Sequence, residues 1–386
     1  MSDVEVSSSF HKISATIPNR WYTRYTIEGA IALSLIALAI VFINGTTQVG
    51  YGLAPQFSLG TFNHTGYPGL GLEPATKAFL DGLQQKGGPP IYTLSPEKAR
   101  AVLSELQASI PVKKLPAIIE NRTIPGGPGG KDISITIVRP ANSSNQTLPV
   151  AMYFHGGGWV LGGFDTHERL VRELANKGNV VIVFVNYTPS PEAKYPVAIE
   201  QAYAATKWVA ENGRSINVNS SRLAVVGDSV GGNMVAAVTL LAKERGGPPI
   251  KFQVLFYPVT DASFDTPSYI TYQNGYWLTR DAMKWFWSNY LTNQTNVKDP
   301  LVSPLQASIG QLKGLPPALF INGENDVLRD EGKAYALKLS EAGVPVTAVR
   351  YPTIHDFVML NPITNDPSPR AAIEQASIML KDALSH

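Results

Sequence analysis

From residue 118 onward, strand-like and helix-like stretches alternate, and this alternation limits the fold more than any other feature of the chain. Eight short apolar runs predict buried strands, at 118–123, 133–139, 150–155, 180–186, 223–227, 252–257, 318–322 and 346–351. Helical stretches separate most of them, at 167–177, 193–212, 233–245 and 331–342, and another follows at 371–384. Such alternation predicts a mostly parallel sheet with helices on both faces, joined by right-handed crossovers. No helix separates the first two runs, so we expect them to form a hairpin.

The fifth strand ends in the pattern Gly-x-Ser-x-Gly, with Gly227, Ser229 and Gly231, and a helical stretch follows at once. On such a turn the serine backbone is strained and its hydroxyl is exposed, while the glycines let strand and helix approach closely. The start of the helix also offers free backbone N–H groups, led by that of Val230, to a developing negative charge. The same pentapeptide occurs in ordinary strand-to-helix turns, so other residues must decide whether Ser229 is a nucleophile.

A serine hydroxyl needs a base at neutral pH, and the base needs a third group to orient it. Two histidines follow Ser229; one is the C-terminal residue, and the other, His355, comes directly after the last strand. Position therefore favours His355 as the base. The loop after the seventh strand offers four acids for the orienting role, namely Glu324, Asp326, Asp330 and Glu331. Loop position favours Asp326, whereas the last two match acids at a helix start.

Acyl transfer also needs hydrogen-bond donors directed at the oxygen that becomes negative. The sequence His155-Gly156-Gly157-Gly158-Trp159 directly follows the third strand. Consecutive glycines allow backbone N–H groups to lie close to a bound molecule, because no side chain stands in between. This loop is therefore predicted to contribute to an oxyanion site beside Ser229.

Together these motifs resemble those of the hormone-sensitive-lipase-like family of α/β-hydrolases, the family IV bacterial esterases. The resemblance extends from about residue 72 to the C-terminus and rests on 155–159, 186–192, 227–232, 299–305, 326–332 and 355–357. It implies an α/β-hydrolase fold with an eight-stranded sheet and a helical cap, and a serine carboxylesterase without a cofactor. The implied substrates are small esters with short or medium acyl chains. By motif position, the catalytic residues would be Ser229, Asp326 and His355, and the oxyanion donors would be the amides of Gly157, Gly158 and Val230.

An insertion after the sixth strand, at 262–298, interrupts the alternation and is rich in aromatic side chains. They include Tyr269, Tyr272, Tyr276, Trp277, Trp285, Phe286, Trp287 and Tyr290. An insertion at this place lies near the C-terminal edge of the sheet, where open α/β sheets bind ligands. We expect it to form a cap, to which the resemblance adds residues 69–115; an ordinary packed subdomain is the alternative.

Residues 1–68 have no counterpart in the usual soluble members of that family. Residues 25–43 are long and apolar enough to span a membrane, and Lys12, Arg20 and Arg24 lie on their N-terminal side. This asymmetry predicts a cytoplasmic tail at 1–24, a signal-anchor helix at 25–43, a linker at 44–68 and a hydrolase domain, 69–386, outside the cytoplasmic membrane. The Asn-x-Ser/Thr patterns, from Asn44 to Asn293, all follow the apolar stretch, as in a glycoprotein. The alternatives are a cleaved signal peptide, which would give a secreted protein, and a soluble or peripheral helix.

Composition excludes several other classes of protein. The chain contains no cysteine, which rules out disulfides, thiolate catalysis and zinc–cysteine sites. The six histidines show no metal-binding spacing, there is no P-loop, and a net charge of +2 does not indicate a nucleic-acid partner. The sequence does not separate a carboxylesterase from a lactone, amide or carbamate hydrolase. It also leaves open a non-catalytic receptor on the same fold, and a homodimer.

Overall fold

The computed structural model describes residues 71–385, which contain one eight-stranded sheet. The strands are β1 (Ala117–Ile124), β2 (Ile133–Pro140), β3 (Leu148–Phe154), β4 (Val181–Asn186), β5 (Val218–Asp228), β6 (Phe252–Phe256), β7 (Ala318–Asn325) and β8 (Val346–Ile354). Their order in space is β1-β2-β4-β3-β5-β6-β7-β8. The pairs β1–β2 and β2–β4 are antiparallel, and the others are parallel. The predicted sheet with a hairpin at its edge is confirmed.

Burial explains which strands could be predicted from the sequence. The central strands are buried on both faces, and therefore have continuous apolar sequences, as parallel strands between helical layers do. Strand β5 is longer than predicted, because Val218 and Asn219 already pair with β3 before a register shift. The residues that follow, up to Arg222, are polar, so this part of the strand has no apolar run and was not predicted.

Ten α-helices lie within the described residues. They are α1 (Pro74–Lys86), α2 (Pro96–Ala108), α3 (Phe164–Gly178), α4 (Val197–Asn212), α5 (Val230–Glu244), α6 (Pro267–Thr271), α7 (Arg280–Tyr290), α8 (Ile309–Leu312), α9 (Arg329–Glu341) and α10 (Pro367–Ala383). Helix α3 packs against α10, and α4 against α5, while α5 and α9 also contact the strands. This layered arrangement matches the predicted α/β class.

Local sequence sets where several helices begin. The hydroxyl of Ser95 accepts a hydrogen bond from the amide of Lys98, so it caps α2. Helix α4 begins at Val197 rather than at residue 193, because Pro196 disfavours helical backbone in the residue before it. Helix α10 begins four residues earlier than predicted, at Pro367, since proline suits the first helical turn.

Helices α1 and α10 cap each other. The carboxylate of Asp366, at the start of α10, accepts hydrogen bonds from the amide and hydroxyl of Thr76 in α1, at 2.8 and 2.7 Å. In return, the carboxylate of Glu73, at the start of α1, accepts hydrogen bonds from the amide and hydroxyl of Ser368 in α10, at 3.0 and 2.8 Å. The first turn of α1 is therefore fastened to the last helix of the chain.

The predicted tail, membrane anchor and linker, at 1–24, 25–43 and 44–68, lie outside the described residues. Within residues 71–385, no helix combines the length and the apolar character needed to cross a membrane. The anchor stays a prediction from the sequence.

Candidate active site

Ser229 lies on the turn between β5 and α5, with a φ of 55° and a ψ of −119°. The turn is very tight: a Cβ atom on Gly231 would lie 1.9 Å from the carbonyl oxygen of Phe154. A Cβ atom on Gly227 would lie 2.3 Å from the carbonyl oxygen of Gly231. Only glycine fits at these two positions. The strained turn holds the serine hydroxyl at the C-terminal edge of the sheet, beside a cavity.

Three side chains from three separate loops meet at this turn. Oγ of Ser229 lies 2.9 Å from Nε2 of His355, and Nδ1 of His355 lies 2.7 Å from Oδ2 of Asp326. Both Asp326 and His355 are buried. The other carboxylate oxygen of Asp326 accepts a hydrogen bond from the amide of Leu328 at 2.9 Å, which fixes the orientation of the acid. All three predicted residues are thus joined by hydrogen bonds.

The other three acids of the same loop have different partners. Glu324 and Asp330 both form ion pairs with Arg329, at 2.8 and 2.9 Å. Glu331 is buried and accepts hydrogen bonds from two backbone amides of the loop after β6. Among the four candidates, all within the described residues, Asp326 is the acid in contact with the imidazole.

Burial and neighbouring carboxylates act on His355 in opposite directions. Removal from water lowers the pKa of the imidazole, because burial disfavours the charged ring. The negative charges of Asp326 and Asp356, together with the hydrogen bond to Asp326, favour the charged ring. The carboxylates outweigh burial and raise the pKa of His355 to about 9. The site therefore stabilises an imidazolium, the form that arises when the ring takes a proton from serine.

The loop after β3 adopts backbone conformations that favour glycine. Gly157 and Gly158 have φ angles of 98° and 65°, and a Cβ atom on Gly158 would lie 2.1 Å from the ring of Phe286. Both glycines line the same cavity as Ser229. Val230 begins α5, so its N–H lies in the first helical turn, where donors have no partner within the helix. The backbone segments predicted to supply oxyanion donors therefore border the serine.

Asp228 is absent from the residues predicted from the sequence, yet it ties this loop to the turn that carries Ser229. Its fully buried carboxylate accepts hydrogen bonds from the amide of Gly156 at 3.0 Å and the hydroxyl of Tyr153 at 2.7 Å. It also lies 3.2 Å from Nε2 of His167. The position of Asp228 directly before the nucleophile is the sequence signal that points to this structural role.

A cavity of about 660 Å³ adjoins Ser229 and His355. Its wall is mainly apolar and comes from both segments for which a cap is predicted, 69–115 and 262–298. The apolar lining residues are Leu80, Leu83, Ile91, Leu94, Val102 and Leu103 from the first segment, and Trp277, Leu278, Ala282, Met283 and Phe286 from the second. A mainly apolar wall with a few convergent polar groups suits a small organic molecule.

Comparison with known proteins identifies the family. Residues 151–359, more than half of the chain, match a family model described as an alpha/beta hydrolase fold. The crystal structure of a thermostable esterase from Pseudomonas putida superimposes with a TM-score of 0.79 at 54% sequence identity, over 81% of this chain and 98% of that one. The chain belongs to the hormone-sensitive-lipase-like family of α/β-hydrolases.

Two curated relatives of this hormone-sensitive-lipase-like protein are ester hydrolases. Carboxylesterase NlhH of Mycobacterium tuberculosis is 38% identical over 74% of this chain and 89% of its own length. Ethyl acetate hydrolase of Pseudomonas putida is 33% identical over 76% of this chain and 91% of its own length. The protein is a carboxylic ester hydrolase. This finding excludes the alternative of a non-catalytic receptor on the same fold. Neither these relatives nor residues 71–385 give support for a membrane anchor or a homodimer.

Proposed function

We propose that this hydrolase is a serine carboxylesterase that cleaves short- to medium-chain acyl esters through a covalent acyl-enzyme. The observation that carries the proposal is the line of hydrogen bonds from Ser229 through His355 to Asp326, beside a largely apolar cavity. The esterase relatives support the bond type, and the ethyl acetate hydrolase among them supports small acyl groups.

In the first half of the reaction, Oγ of Ser229 attacks the ester carbonyl carbon while Nε2 of His355 takes the serine proton. The carboxylate of Asp326 accepts a hydrogen bond from the N–H group at Nδ1, so the Nε2 lone pair faces the serine, and the carboxylate charge stabilises the imidazolium. The carbonyl oxygen becomes negative and accepts hydrogen bonds from the amides of Gly157, Gly158 and Val230. The imidazolium then gives its proton to the departing alkoxide, which leaves as the alcohol.

In the second half, water attacks the carbonyl carbon of the acyl group on Ser229. Nε2 of His355 takes a proton from that water and then returns it to Oγ as the carbon–oxygen bond to serine breaks. The acid leaves and the hydroxyl is restored. No cofactor enters either half.

The intermediate can be tested directly by rapid mixing with p-nitrophenyl acetate and butyrate. If deacylation limits turnover, p-nitrophenol appears in a burst of one equivalent per enzyme. Acid quenching should then give a mass increase of one acyl group on the peptide that contains Ser229. Acylation of another residue, or turnover on Ser229→Ala protein, would contradict the proposal; Ser109→Ala, at an exposed serine that ends α2, is the matched control.

A hydrolysis profile tests the bond type and acyl length. We expect kcat/KM to be highest for p-nitrophenyl esters between acetate and octanoate, and much lower for palmitate, because a relative that is 33% identical to this chain is an ethyl acetate hydrolase. A lactone, an anilide and a carbamate of similar size should react more slowly. Faster cleavage of any of these three would instead assign the same catalytic residues to that bond.

The pH dependence should follow His355. The base must be neutral to accept the serine proton, and the neighbouring carboxylates raise its pKa to about 9, so the ring is protonated below that value. We expect kcat/KM to rise by at least about tenfold between pH 7 and pH 9, after subtraction of spontaneous hydrolysis. An acid limb with its midpoint at or below the ordinary histidine pKa would contradict this.

A further inference from the structure

A second carboxylate lies at the opposite edge of the imidazole from Asp326. Asp356 directly follows His355, and its Oδ1 atom lies 3.3 Å from Nε2 of that ring. Its side chain is 15% exposed and lines the cavity. Nε2 is the atom that exchanges the proton with Ser229 and the leaving alcohol, so Asp356 is next to the reacting atoms.

The carboxylate of Asp356 is held in this position from the other side. Its Oδ2 atom accepts a hydrogen bond from Nε1 of Trp277 at 2.8 Å, and the Trp277 ring packs against Phe79 of α1 at 5.6 Å. Both Asp356 and Trp277 have left-handed backbone, with φ angles of 61° and 77°. This conformation is costly for a side chain as large as tryptophan and is maintained only where surrounding contacts enforce it. The structure thus fixes this aspartate through an indole of the insertion.

We propose that Asp356 is a positioning residue for the ester hydrolysis proposed above: held by Trp277, it keeps the imidazole of His355 oriented and stabilises its positive charge during proton transfer. It takes no proton itself. The proton moves from Oγ of Ser229 to Nε2 and from Nε2 to the leaving alkoxide, while Asp356 stays a carboxylate.

The need for such a group arises when the serine changes partner. In the free enzyme, Oγ of Ser229 lies 2.9 Å from Nε2. When Oγ bonds to the acyl carbon, it becomes a weaker acceptor, and the Nε2 proton loses that stabilisation before the alcohol departs. Asp356 remains within ion-pair distance and attracts the charged ring at that stage. Its charge also contributes, with that of Asp326, to the raised pKa of His355.

Other groups also face this imidazole, and the test must leave them unchanged. Asp326 contacts Nδ1, the ring of Tyr257 packs edge-on at 4.7 Å, and the buried Asp228 adds a more distant negative charge. His167, which faces Asp228, adds a charge only when it is protonated. The variants below alter none of these side chains.

The test is the pH profile of kcat/KM for p-nitrophenyl butyrate in Asp356→Asn and Asp356→Gly. Both asparagine and glycine tolerate a φ of 61°, so both variants are expected to fold. We expect the acid limb to move down by about one pH unit, because a nearby opposite charge is lost. The plateau should fall by about tenfold. Trp277→Phe removes the hydrogen-bond donor to Asp356 and keeps the carboxylate. It should also move the acid limb to lower pH, but by less than the Asp356 variants do.

Glu120→Gln removes an exposed carboxylate on β1 and should change neither the limb nor the plateau. If Asp356 only anchors Trp277, the Asp356 and Trp277 variants will lower kcat/KM by one common factor at every pH, with the midpoint unmoved. That result overturns this inference and leaves the proposed function standing. Turnover by Ser229→Ala would instead overturn the proposed function.

Discussion

Ser229→Ala and His355→Ala are each expected to lower kcat for p-nitrophenyl acetate and butyrate by about 10⁴-fold or more. The first removes the atom that attacks the carbonyl, and the second removes the base 2.9 Å from it. Without the base, the hydroxyl stays protonated and is a poor nucleophile. Initial rates, corrected for buffer hydrolysis, measure the effect.

The effects of the two substitutions on kcat should not be additive. Because nucleophile and base act in one step, the double variant is expected to be no slower than the slower single variant. Thermal unfolding checks that each protein is folded, and Ser109→Ala serves as the active control. Turnover near that of the wild type in either single variant would remove the proposed mechanism.

Asp326→Asn should lower kcat by about 10³- to 10⁴-fold while the protein stays folded. The carboxylate lies 2.7 Å from Nδ1 of His355 and can only accept a hydrogen bond there. An asparagine amide can donate instead, which favours the tautomer whose proton sits on Nε2 and faces the serine. That ring cannot accept the serine proton, and the imidazolium also loses its nearest counter-charge. The effect is measured as kcat of the variant and of the wild type across the pH range. Unfolding by denaturant shows whether the variant is as stable as the wild type.

The same loop supplies the controls for this experiment. Glu324→Gln and Asp330→Asn break ion pairs with Arg329 and do not alter the contact between Asp326 and the imidazole. They are expected to lower stability modestly and to leave kcat within about twofold of the wild type. An equal loss of turnover in Glu324→Gln would mean that Asp326 is not the orienting acid.

Most of the fold could be predicted because the sheet is buried on both faces. Strands such as β4 and β6 are almost wholly apolar, and an apolar run of this kind can be recognised in the sequence without the structure. In β5, Val218 and Asn219 pair with the first two residues of β3, but polar residues then follow up to Arg222, so no apolar run marks this part of the strand. The early start of α10 depends on Pro367, whose preference for the first helical turn outweighs the lack of apolar periodicity there.

The site was predictable where local motifs carry the chemistry. The turn at Ser229 and the glycine loop are constrained by close backbone contacts, which only certain residues permit. The choice of Asp326 among four acids needed the fold, because it depends on which side chain reaches the imidazole. The contact between Trp277 and Asp356 joins residues 79 positions apart, and no local pattern predicts such a pairing.

The exchange of caps between α1 and α10 has a consequence for how molecules reach the serine. Asp366 and Glu73 fasten the first turn of α1, whereas its far end, with Leu83 and Gln84, borders the cavity and stops at Gly87. The hydrogen bonds to α10 restrain the first turn, so a movement of α1 that widens the cavity entrance is expected to be largest at its Gly87 end, with α10 as the fixed support.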